Sequence, residues 1–159
     1  MHQISVLQVF IGSVGAAHAV AVTGACAIAG RVGLSLFIDR LDQRRASAVL
    51  LAIQAVSLAV MIRTADPMAL YVACGAFGLG VGNLITLPAL VIQREFPAAA
   101  FATVASLSTS VMGLTYAFAP WILGVLRDTT GSYAAPLCAC IATEIVAAVL
   151  VLPRLRSVE

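Results

Sequence analysis

Five long apolar runs, divided by short polar connectors, constrain this chain more than any other feature. They cover residues 9–38, 46–62, 68–92, 101–126 and 134–152. Most are too long for β-strands, and each is close to the ~20 apolar residues that a helix needs to cross a bilayer. The expected fold class is all-α, a polytopic transmembrane helix bundle of about five spans forming one domain over residues 1–159. The chain is 62% hydrophobic and only 10% charged, with a mean hydropathy of +1.06. A soluble domain carries about 25% charged residues, and so few polar groups could not cover a soluble core of this size.

The connectors are Asp39 to Arg45, Arg63 to Pro67, Gln93 to Pro97 and Arg127 to Tyr133. Each combines charge with turn formers or helix breakers. Their shortness predicts antiparallel packing of successive helices. All nine basic residues are arginines, grouped between the runs, so they report topology rather than a polyanionic partner, and nucleic acid is not expected. Arg40, Arg44, Arg45, Arg94, Arg154 and Arg156 fall on one side, and Arg63 and Arg127 on the other. The richer side is expected to be cytoplasmic, which puts the N-terminus outside and the C-terminus inside. The opening MHQISVLQVF lacks a basic stretch and a small-residue cleavage site, so the first span itself is expected to direct entry into the membrane.

Cys26, Cys74, Cys138 and Cys140 all lie in apolar runs and read as small buried residues. Two residues apart on a helix, Cys138 and Cys140 diverge by about 200°, which is poor spacing for a metal. Neither a disulfide, a metal site nor a cofactor is expected. No nucleophile elbow, phosphate loop or His/Asp/Glu cluster points to an enzyme.

Small residues recur within the runs, with Gly75, Gly78 and Gly82 on one face of the third and Gly113 and Gly124 in the fourth. They allow close approach of helix backbones in lipid. Pro88 and Pro120 are expected to kink their spans.

Polar residues inside the runs are the candidates for function. Arg31 lies two turns before Asp39, about 12 Å deeper along a helix. An arginine there costs at least ~2.5 kcal/mol unless it faces protein or water. It can bind an anion such as a carboxylate, for which a permanently charged guanidinium fork is suited. Equally, it can tie to helix-end carbonyls or to an acid on a neighbouring helix. His18 offers either a proton relay or an interhelical hydrogen bond. Asn83 and Thr86 in the third run, and Thr109, Ser110 and Tyr116 in the fourth, can line a cavity or bond their own helices. Glu144 sits in the middle of the last run, where an interface role competes with proton coupling.

The stretch from Gly30 through Asp39-Arg40 to Arg44-Arg45 resembles a signature of the major facilitator superfamily. In these transporters an Asp-Arg step followed by basic residues marks the loop after the second helix, and a weaker copy follows the eighth. Ser35 and Asp42 stand where the pattern usually has glycine. Pro120, Gly124, Asp128 and Gly131-Ser132-Tyr133 are similar to the end of the eleventh helix and its following loop, and His2-Gln3 to the external loop before the eighth. The resemblance implies that the runs are helices eight to twelve, part of the C-terminal six-helix half of a major facilitator fold. An N-terminal half or another membrane chain would then be a partner.

Within the superfamily the segment looks most like monocarboxylate and oxalate/formate-type members, where a basic residue on the eighth helix contacts the carboxylate. Arg31 matches that placement. By resemblance, Asp39, Arg40, Arg44 and Arg45 form a cytoplasmic gating loop, with Asp39 pairing with an arginine or capping a helix. A solvated charged turn is the alternative. The expected function is secondary transport of a small organic solute, an organic anion being the class that Arg31 suits, across a bacterial inner membrane. The other reading is a non-transporting subunit or remnant packed against another membrane protein.

Overall fold

The computed structural model describes residues 2–37 and 40–152. All its regular elements are helices: α1 (His2–Ser35), α2 (Gln43–Arg63), α3 (Pro67–Leu84), α4 (Leu87–Glu95), α5 (Ala98–Thr130) and α6 (Ala134–Val151). With α3 and α4 taken as one interrupted span, five helical stretches are long and apolar enough to cross a membrane. The all-α expectation holds among the described residues.

Local chemistry sets the ends of these helices. Asp42 caps α2, its Oδ1 accepting from the amides of Arg44 and Arg45 at 3.0 and 3.2 Å. Asp66 does the same for α3, accepting from Ala69 N at 2.9 Å, with Pro67 in the first turn. Each carboxylate satisfies amides that a helix start leaves without partners. The third span breaks between Leu84 and Leu87. Pro88 explains the break, since it has no N–H for the carbonyl four residues back and its ring crowds that turn. Pro120, by contrast, lies inside an α5 that continues through it.

Two boundaries differ from expectation. The helix of α1 already includes His2 and Gln3, where the resemblance implies an external loop, and it ends at Ser35 rather than near residue 38. A break at Gly12 (φ 71°, ψ 175°) divides it. Only glycine adopts that backbone freely. The break accompanies a packed N-terminal segment: Leu7 is fully buried in a cluster with Ala16, Leu58, Met61 and Leu70.

Helix pairing also departs from chain order. α1 packs chiefly on α3, and α2 lies between α3 and α6, while α1 and α2 share little contact. Small residues explain this better than connector length does. At Gly78 a Cβ would come within 3.0 Å of Thr23 Cα, and at Gly82 within 3.0 Å of Ala27 Cα, with the facing carbonyl oxygens closer still. Only glycine lets the two backbones come so near. Thr23 Oγ1 donates to Cys74 O at 3.2 Å and the Tyr71 hydroxyl to Gly15 O at 3.2 Å, adding polar ties along the α1–α3 seam.

α5 is the outlier. None of its residues is buried, and Leu107, Leu114, Phe118 and Trp121 are each more than half exposed. Apolar surface on that scale calls for an apolar surrounding or a partner.

Candidate functional site

Arg31 sits where α1 passes the end of α3. Its Nε donates to Gly82 O at 2.9 Å. That carbonyl is available because the span breaks: Thr86 N bonds Asn83 O at 3.0 Å rather than Gly82 O one residue earlier. Arg31 thus satisfies a carbonyl that the helix end would otherwise leave without a donor. The tie to a helix-end carbonyl, one of the readings open from the sequence, is therefore present. Because α1 ends at Ser35, Arg31 lies about one turn, ~6 Å, from the helix end. That is shallower than its spacing from Asp39 implies, and a shallow arginine reaches the interface at lower cost. Arg31 is exposed, and among the described residues no carboxylate faces its terminal amino groups.

The other candidates do not all converge on it. Thr86 lies at the break, its Oγ1 bonded to Asn83 O at 3.0 Å. Asn83 is buried and donates to Leu79 O of its own helix at 2.9 Å. These two and Arg31 occupy the same end of the α1–α3 pair. His18 is exposed on α1, thirteen residues or about 20 Å away along the helix. Tyr116 is 66% exposed on α5, which has no substantial contact with α1. Thr109 and Ser110 bond their own helix, donating to Ala105 O and Ser106 O at 2.9 Å each.

A second polar cluster joins three helix ends. Arg44, in the first turn of α2, forms a two-pronged ion pair with Glu95 at the end of α4. Its Nη1 also donates to Val151 O at the end of α6, at 3.0 Å. With its amide oriented to satisfy both ends, Gln43 donates to Leu90 O at 3.0 Å and accepts from Arg94 Nε at 3.2 Å. Arg40 and Arg45 of the expected gating loop are exposed, and Asp39 lies outside the described residues.

A third cluster lies within the spans. Gln54 of α2 is buried. Oriented by the same criterion, its Nε2 is 3.1 Å from both carboxylate oxygens of Glu144 on α6, and its Oε1 accepts from Val81 N of α3 at 2.9 Å. The arrangement joins three helices through one amide, and Glu144 meets a neutral partner rather than a cation. The sequence signal for Gln54 is that it is the one amide side chain in the run 46–62. Glu95 was legible only as connector charge.

Among the described residues no group of His, Cys, Asp and Glu could hold a metal, and all four cysteines are free thiols. Comparison with protein-family models, with curated proteins and with solved structures finds no match.

Proposed function

We propose that the chain is part of a secondary active transporter that moves a small organic anion across a bacterial plasma membrane, coupled to protons or to a counter-substrate. The observation that carries the reading is Arg31: a permanent cation on an apolar helix long enough to span a bilayer, exposed as a residue and anchored through Nε to Gly82 O. Anchoring one nitrogen orients the fork, and the outer pair of nitrogens suits a carboxylate. The break at residues 85–86 supplies a hinge-like interruption beside it. The ion pair of Arg44 and Glu95 supports a latch at the end that the arginine bias assigns to the cytoplasm. The likeness of the Gly30–Arg45 stretch to the major facilitator signature points the same way. In that reading α5 packs against helices from an N-terminal half.

A second reading, a non-transporting membrane subunit, draws on α5 alone, whose lack of buried residues is what a helix awaiting a partner chain would show.

Uptake by membrane vesicles that contain the chain together with the membrane chain supplying the N-terminal half separates the two. A panel of labelled small carboxylates should include at least one with saturable uptake. Arg31→Ala should reduce that uptake at least about tenfold, the effect of ~1.4 kcal/mol. Arg31→Gln removes the charge while keeping a donor for Gly82 O, and should be equally impaired. Unchanged uptake in both variants would refute the anion site. Absence of protein-dependent uptake would favour the subunit.

A further inference from the structure

Because α1 and α2 both lean on α3 rather than on each other, a cleft remains between them. It is a shallow groove of about 530 Å³, open over most of its extent. Gly33, Leu34 and Phe37 of α1 and its following turn, Leu50 and Ile53 of α2, and Leu79 of α3 line it. The missing side chain at Gly33 helps to keep it clear, since a Cβ there would meet nothing within 4 Å. At the end toward the α1–α2 loop the lining includes Arg40, and Arg45 is exposed in the first turn of α2.

We infer that this cleft is a binding site for an anionic phospholipid, with one acyl chain lying between α1 and α2 and the phosphate headgroup at Arg40 and Arg45. The chemistry follows from the two ends of the cleft. An apolar trough inside the spans accepts an acyl chain. Arg40 at its mouth, with Arg45 exposed in the following helix turn, lies at headgroup level, because the same end of the molecule carries the start of α2 and the ends of α4 and α6, joined through Arg44. Basic pockets between spanning helices select anionic headgroups. Asp42 caps α2 and keeps its negative charge, against the two positive charges of Arg40 and Arg45, and Glu95 is paired with Arg44. The inference requires only that the helices span a bilayer and does not depend on the transport reading.

Native mass spectrometry of the delipidated full chain in detergent tests it. The probes are dioleoyl phosphatidylglycerol, dioleoyl phosphatidylcholine and glycerol 3-phosphate. One phosphatidylglycerol per chain should be retained at a concentration at least about tenfold below that needed for phosphatidylcholine, and glycerol 3-phosphate should neither bind nor compete. Arg40→Gln with Arg45→Gln should reduce phosphatidylglycerol to the phosphatidylcholine level. Gly33→Leu, which fills the trough, should weaken both lipids. Equal retention of the two lipids by the wild type, or undiminished phosphatidylglycerol binding in the arginine variant, would overturn the inference. So would competition by glycerol 3-phosphate. Should Gly33→Leu fail to fold, the arginine variant and the lipid comparison still decide the matter.

Discussion

Gly82→Ala and Gly78→Ala should each lower the unfolding free energy measured in a mixed detergent titration by about 1–3 kcal/mol, while Gly113→Ala and Gly124→Ala stay within about 1 kcal/mol of wild type. All four changes add the same methyl group to a helix. They differ in what that group meets. At Gly78 and Gly82 it runs into the backbone of Thr23 and Ala27, which can yield only if α1 moves away from α3. At Gly113 and Gly124 nothing lies within 4 Å. Displacing α1 would also draw Arg31 from Gly82 O and strain the bond of Thr23 to Cys74 O. Gly82→Ala should therefore weaken the candidate anion site as well as the fold. Four equal responses would mean that α1 and α3 do not pack through this seam.

The second large effect is expected at Arg44. It gathers the start of α2, the end of α4 and the end of α6 through Glu95 and Val151 O. Its side chain is 14% exposed and that of Glu95 is 30% exposed, so water screens the pair less than it does Arg127 and Asp128, at 49% and 72%. A double-mutant cycle with Arg44→Ala and Glu95→Ala should return a coupling of about 1–3 kcal/mol. The corresponding cycle at Arg127 and Asp128 should give at most about 1 kcal/mol. Arg44→Lys should recover only part of the loss, because an ammonium cannot make the two-pronged contact or reach Val151 O in the same geometry. A coupling near zero at Arg44 and Glu95 would remove the latch from the account.

These contrasts mark what the sequence could and could not reveal. The helices were legible because runs of apolar residues closed by Asp42, Asp66 and Pro67 carry their own start signals. The break in the third span was legible from Pro88. The break at Gly12 was not, since glycine in an apolar run reads equally as a packing residue. Pairing of α1 with α3 rather than α2 depends on which small-residue faces meet, and connector length does not encode that. Arg31 could be recognised as a costly residue needing a partner. Its carbonyl partner became available only through a helix break fifty residues later in the chain. The amide of Gln54, joining α2, α3 and Glu144 of α6, is a long-range contact of the same kind. His18 and Tyr116 show the converse: polar residues inside apolar runs that the fold leaves apart from Arg31.

Every functional reading rests on these helices crossing a bilayer, and the cytoplasmic latch rests also on the arginine-rich end lying inside. Thiol labelling in intact cells tests this most directly. Replacing Cys26, Cys74, Cys138 and Cys140 with serine or alanine gives the background. Single cysteines then go in at four exposed positions: Leu41, Ala65, Gln93 and Ser132. A membrane-impermeant maleimide added to intact cells should label Ala65→Cys and Ser132→Cys, and should label Leu41→Cys and Gln93→Cys only after the membrane is opened. Labelling of all four in intact cells, or the reverse pattern, would contradict the account.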